Sequence, residues 1–188
     1  MDDERRPPIE RLGGRPVYEN AWISLREDRV RLANGETGIY SVVTKPAFAV
    51  VAPLGEGKLH LVRQFRYPLG FATWEFPQGA APDAMTGGGA VAVEEVAHRE
   101  LREETGLSAG RMERLGRIHP DTGLIDQTGE VFLAGDLTEG EPEREPSEAD
   151  MTSEAFAVEE VLAMARREEI TDAPTLAAIA LLLLHRKL

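Results

Sequence analysis

The chain has 188 residues, 42% hydrophobic and 29% charged, the make-up of a soluble globular protein with one well-filled core. Its formal net charge of -12 excludes a generic nucleic-acid or anionic-membrane surface, since both need positive potential. Cysteine is absent, which excludes disulfides, thiolate metal sites and cysteine nucleophiles.

No apolar segment follows Met1-Asp2-Asp3-Glu4-Arg5-Arg6, so no signal peptide is read, and a cytoplasmic location is expected. Residues 1–16 carry Pro7, Pro8, Gly13, Gly14 and Pro16 and read as an irregular lead-in. From Val17 to residue 45 a broken alternation with an Asn34-Gly35 turn predicts a small antiparallel sheet. Residues 1–45 are therefore set apart from a main domain over residues 46–188. Residues 47–54 are almost wholly apolar, the pattern of a central strand covered on both faces. After the Gly55-Glu56-Gly57 turn, residues 59–65 alternate as a second strand. Arg63 and Arg66 close it, two cations suited either to phosphate or to strand-end salt bridges. In Trp74-Glu75-Phe76-Pro77-Gln78-Gly79, Glu75 sits between aromatics, placed to pair with an arginine or to touch a ligand.

Residues 80–92, with Gly87-Gly88-Gly89, read as a loop. A helix is expected from about residues 91–94 to Thr105, then strands at 112–119 and 129–137. An acidic connector spans 138–150. Helices follow at 158–168 and at 175–186, the second announced by Thr171-Asp172-Ala173-Pro174. The longest apolar run near the C-terminus, 176–184, is far short of a membrane span. Strands around one central helix, with two late helices, predict an α/β sandwich. No G-x-G-x-x-G follows a strand and no Walker lysine is present, so a doubly wound nucleotide fold is excluded.

The helix ends in Arg99-Glu100-Leu101-Arg102-Glu103-Glu104-Thr105-Gly106-Leu107. At about 100° per residue, Glu100 and Glu104 share one face, with Glu103 beside them. Three carboxylates on a last turn repel one another and the negative end of the helix dipole. Taken alone they suit either a solvated acidic face or a hard divalent cation, Mg²⁺ or Mn²⁺. Gly106 stands where a helix needs a residue of positive φ.

Gly79 followed by Arg99-Glu100-Leu101 and Glu103-Glu104-Thr105-Gly106-Leu107 resembles the Nudix box of pyrophosphohydrolases. Val17-Tyr18-Glu19-Asn20, the run from Leu61 to Pro68, Trp74 to Gly79, and Glu168-Glu169-Ile170-Thr171-Asp172 with Thr175 resemble its ADP-ribose pyrophosphatase branch. The resemblance implies a Nudix-type α/β/α sandwich with a mixed sheet, plus the N-terminal antiparallel sheet. It implies Mg²⁺ or Mn²⁺ held by Glu100, Glu103 and Glu104 with the Gln78 carbonyl, Glu100 and Glu104 being the most direct. Gly79, Arg99 and Gly106 take structural roles, Arg99 bracing loop to helix, and Arg63, Arg66 and Glu75 face the substrate. That substrate is a small nucleotide, a nucleoside diphosphate-sugar such as ADP-ribose, cleaved to a nucleoside monophosphate and a sugar phosphate. Other nucleotides, or nucleotide binding without turnover, are the alternatives. The branch also implies a homodimer through residues 17–45.

Two departures from the family pattern stand out. Between Gly79 and Arg99 lie 19 residues, six more than the family spacing, and the family's upstream Glu falls on Val91. Downstream, Asp121-Thr122-Gly123 replaces Ser-Pro-Gly, and the family's catalytic Glu falls on Gln127, whose neutral amide is no general base. Asp126 and Glu130 are the nearest carboxylates and are expected to supply the base, with Glu103 a further catalytic candidate. The acidic connector at 138–150 is the remaining reservoir.

Overall fold

The computed structural model describes residues 7–80 and 92–188. The expected effects of Val91 and of the glycine run fall outside those residues.

Strands β1 (Glu10–Glu19), β2 (Ser24–Arg31) and β3 (Thr37–Thr44) form an antiparallel sheet in that order. Strand β1 begins inside the stretch expected to be irregular, and that expectation is corrected. Its prolines and glycines are absorbed by register shifts between Arg11 and Gly13 and between Pro16 and Tyr18. Cross-strand ion pairs Arg11–Asp28, Arg15–Glu27 and Arg31–Glu10 pin what lies between. The sheet is tied to the rest of the chain through the Val43 N–H to Leu124 O and the Asp126 N–H to Val43 O, at 2.9 and 3.1 Å.

Among the described residues the second sheet has seven strands. Five run in the order β10 (Thr152–Ala157), β5 (Lys58–Arg66), β4 (Phe48–Gly55), β9 (Gly129–Thr138) and β8 (Ser108–Ile118). The β4–β9 pair is parallel and the other pairs are antiparallel. Strand β4 is apolar throughout because both of its faces are covered. Ala49 and Val51 meet Val96, Ala97 and Leu101 of α1 (Val93–Thr105). Val50 and Ala52 join the core formed with α2 (Val158–Arg166) and α3 (Ala173–Leu184). The result is the expected α/β/α sandwich with a mixed sheet. Leu101 is fully buried, and truncating it to Ala would cost about 2–5 kcal/mol. Strand β10 was not expected: six residues after an acidic connector carry too short a pattern, and pairing with β5 makes the strand.

The opening of the site comes from a split in this sheet. Strand β5 pairs with β4 only at Leu54–Leu59 and Gly55–Lys58, then leaves it. Strands β6 (Phe71–Glu75) and β7 (Gln78–Ala80) fill the wedge, β6 on β5 and β7 on the start of β4. The break at Phe76-Pro77 between them brings Glu75 and Gln78 to the mouth of the wedge, facing the last turns of α1. Among the described residues no helix is long and apolar enough to cross a membrane.

Candidate active site

Helix α1 carries its chemistry beside its packing stripe. Val96, Ala97 and Leu101 are buried in the core, and Glu100 and Glu104, one turn apart, are buried at its margin at 7% and 3% exposure. Gly106 ends the helix in the left-handed region at φ 79°, its N–H donating to Arg102 O. A Cβ there would also strike the Gly140 carbonyl, so the position needs glycine twice over. Gly79 on β7 lies against the Glu100 carboxylate so closely that any Cβ would overlap it. Arg99 donates to Ala80 O at 2.9 Å and to Glu100 Oε1 at 2.6 Å, and its Nε lies 3.4 Å from Glu103. One guanidinium thus links the end of β7 to the helix.

Burial comes first in raising the Glu104 carboxyl well above its ordinary value, with the charges of Glu100 and Glu148 adding to it. Its Oε2 is buried without a hydrogen-bond partner. Burial also raises Glu100, against the pull of Arg99.

A second wall comes from the acidic connector, which the sequence held only as a reservoir for the base with no residue singled out. The acidic connector docks on the open end of α1: the Glu143 N–H donates to Glu103 O and Arg144 Nε to Glu104 O, at 3.0 and 3.2 Å. These are carbonyls that a helix end leaves without an intrahelical partner. The docking carries a single 3-10 turn, Pro146–Glu148, closed by a capping box between Glu145 and Glu148. Both glutamates line the cleft with Glu100 and Glu103. Burial raises Glu148, with Glu145 and Glu103 adding to it against the Glu145 backbone N–H. The Glu-Pro-Ser-Glu spacing was the available signal, a helix-start pattern inside an otherwise solvated run.

The cleft has a volume of about 560 Å³ and includes Arg66, Gln78, Lys45, Trp22 and Asp172. Arg66 grips Glu75 through Nε and Nη2, and Gln78 Nε2 donates to Glu75 at 2.7 Å. Arg63 does not join them. A strand alternates with a period of two, so residues three apart face opposite sides, and Arg63 is exposed outside the cleft.

Asp126 and Glu130 are not cleft residues either. Asp126 accepts from Thr44 Oγ1 at 2.8 Å and pairs with Arg26 at 3.5 Å. For Glu130, burial pushes the carboxyl up, but hydrogen bonds from Arg114 and Arg117 outweigh it and hold the group below its ordinary value. Such a carboxylate is a structural partner rather than a poised base. Gln127 does line the cleft, where its amide donates to Pro46 O at 2.7 Å.

Among the described residues no three carboxylate or imidazole groups form one closed cation cluster; Arg99 holds Glu100 and Glu103 instead. The donor chemistry nevertheless fits a hard cation. It is all oxygen, its carboxylates raise one another, and one buried oxygen of Glu104 is orphaned.

This fold and this gathering of buried carboxylates beside a guanidinium define a hydrolase of phosphoric anhydrides that works with divalent cations. Residues 43–179 match the NUDIX domain, and residues 9–43 match the nucleoside diphosphate sugar hydrolase N-terminal domain. The chain belongs to the Nudix family of pyrophosphate hydrolases. It is 32% identical over 178 residues to an ADP-ribose pyrophosphatase of Mycobacterium tuberculosis, covering 91% of this chain and 81% of that one. It is likewise 32% identical over 174 residues to an ADP-ribose pyrophosphatase of Bacillus subtilis, covering 92% and 91%. A crystal structure described as ADP compounds hydrolase superposes with a TM-score of 0.82 at 18% identity, over 98% of this chain and 97% of that one, and shows the same fold.

Proposed function

We propose that this protein hydrolyses the diphosphate of a nucleoside diphosphate-sugar such as ADP-ribose, releasing a nucleoside monophosphate and a sugar phosphate. The observation that carries the reading is the meeting of Glu100 and Glu148 in one cleft beside Arg66, with the Glu104 carboxylate buried next to them and raised by both of their charges. Glu100, Glu103 and Glu104, with the Gln78 carbonyl, would hold Mg²⁺ or Mn²⁺. A cation held there would offset diphosphate charge and lower the pKa of a bound water.

The chain's own groups do the rest. Arg66, oriented by Glu75, offsets phosphate charge. Glu148 takes the proton of the attacking water while the water oxygen bonds to phosphorus and the bridging P–O bond breaks, leaving two phosphate monoesters. Its raised carboxyl value suits a base, and general bases contribute about 10²–10⁴-fold. Trp22, Pro46 and Ile125 are apolar residues of the cleft lining, of a kind suited to a nucleobase. The exposed Val17, Tyr18 and Ile39 of the N-terminal sheet support a homodimer, which light scattering would test by giving twice the chain mass. We place the protein in the cytoplasm, a location that cell fractionation tests.

The deciding experiment incubates the protein with Mg²⁺ or Mn²⁺ and a panel of ADP-ribose, other sugar nucleotides and nucleoside triphosphates. Release of a nucleoside monophosphate and a sugar phosphate from ADP-ribose, faster than hydrolysis of triphosphates, is the expected result. Preference for triphosphates would reassign the substrate, and binding without release would make the protein a nucleotide-binding module.

A further inference from the structure

Asp172 lies 68 residues after Glu104 in the chain, yet it holds the side chain of Gln78, whose backbone N–H acts on Glu104. As N-cap of α3, it accepts from the Thr175 N–H at 2.8 Å and the Thr175 hydroxyl at 2.7 Å. The same oxygen, Oδ2, accepts from Gln78 Nε2 at 3.1 Å. The other partner of that amide nitrogen is Glu75, the carboxylate that grips Arg66. The Gln78 nitrogen is thus shared by two carboxylates, which need a donor between them and would otherwise repel. Thr175, fully buried, also accepts the Phe76 N–H at 2.9 Å, so the segment between β6 and β7 is held at both ends. The Gln78 backbone lies on β7, which packs on α1, and its N–H pulls the Glu104 carboxyl down against its burial.

A helix cap does not require the Gln78 contact, since the Thr175 N–H alone satisfies it. We propose that Asp172 is a positioning residue of the reaction: by clamping the Gln78 amide against Glu75, it sets both the Gln78 backbone beside Glu104 and the aim of Arg66. This rests on the hydrolase reading above and assigns the start of α3 a part in it. No contact of Asp172 with substrate is needed.

The substitution that separates the two roles is Asp172→Ser. Serine caps the helix equally well, so the thermal midpoint should stay within about 2–4 °C of the parent. Its short hydroxyl does not reach Gln78. Mn²⁺ affinity, titrated by the paramagnetic signal of free Mn²⁺ with the full-length protein and no substrate, should fall about tenfold, as should kcat, the size of one lost charge-assisted hydrogen bond. Asp172→Asn, whose carbonyl oxygen can still cap Thr175 N–H and accept from Gln78 Nε2, should restore both to within about threefold. Gln78→Leu leaves the cap untouched and should copy the serine variant, and the double variant should be no worse than either single one. A serine variant that binds Mn²⁺ and turns over like the parent overturns the proposal. So do an asparagine variant as impaired as serine, and losses that add in the double variant. If the parent releases no product from any diphosphate, the hydrolase reading fails, and the Mn²⁺ titration still decides the positioning.

Discussion

Gly79 and Glu100 occupy one space: the glycine's missing side chain is filled by the glutamate's carboxylate. Strand β7 and helix α1 approach there as closely as backbone and carboxylate allow, and Arg99 ties them together from the side. Gly79→Ala would force Glu100 out of its buried position or separate the two elements. The expected result is destabilisation by about 1–3 kcal/mol in chemical unfolding, with turnover reduced at least about tenfold. A variant with parental stability and activity would show that the two elements can move apart freely.

Glu148 and the two carboxylates nearest Gln127 make opposite predictions. Glu148→Gln should lower kcat about 10²–10⁴-fold with little change in melting, because it keeps volume and loses only the proton acceptor. Asp126→Asn should leave kcat within about threefold, since its hydrogen bonds go to Thr44 and Arg26 rather than into the cleft. Glu130→Gln should lower stability, having two arginines for partners, while kcat of the folded fraction holds. A slow Asp126 or Glu130 variant together with an unimpaired Glu148 variant would return the base to the neighbourhood of Gln127.

Glu104 is kept at a cost to the protein without its cation. Its carboxyl value is raised by burial, so above that value the charged form weighs against folding. Glu104→Gln removes the charge and little volume. Measured near neutral pH with chelator present, its thermal midpoint should rise, while turnover in Mg²⁺ is abolished. Unchanged activity would remove the cation site from this helix.

Asp28 provides the acid limb of the N-terminal sheet. The Arg11 guanidinium first, and then Arg26, hold its carboxyl below the ordinary 3.8 against the effect of burial. A carboxylate lowered in the folded state contributes stability above its unfolded value and loses it as pH falls through the folded one. Melting of the parent should therefore steepen in its decline below about pH 4, and Asp28→Asn should flatten that limb while lowering stability at neutral pH. Identical pH profiles for the two proteins would contradict this.

How much of the fold is legible in the sequence depends on the range of the contacts involved. Helix α1 and strands β4 and β9 announce themselves through periods of 3.6 and through apolar runs, because local geometry alone decides which faces can be buried. The same period of two that marks β5 also separates Arg63 from Arg66, a consequence of strand geometry alone. Strand β1 was hidden by its prolines and glycines, and β10 by its shortness. Strand β10 exists through β5, far back along the chain, which leaves no local mark, whereas β1 is one arm of a hairpin with its sequence neighbour β2 and only its own letters conceal it.

The sequence by itself determined the carboxylate face of α1. Residues four apart on a helix must share a side, and Gly106 must follow where the chain turns back. Only the tertiary structure decided what meets that face. Glu148 arrives because a connector some 40 residues on satisfies the last carbonyls of α1, and Gln78 is aimed by a helix cap nearly a hundred residues further along. Local letters can announce a helix end or a cap, but which distant side chain will reach it, Arg144 for one and Gln78 for the other, depends on how the elements pack.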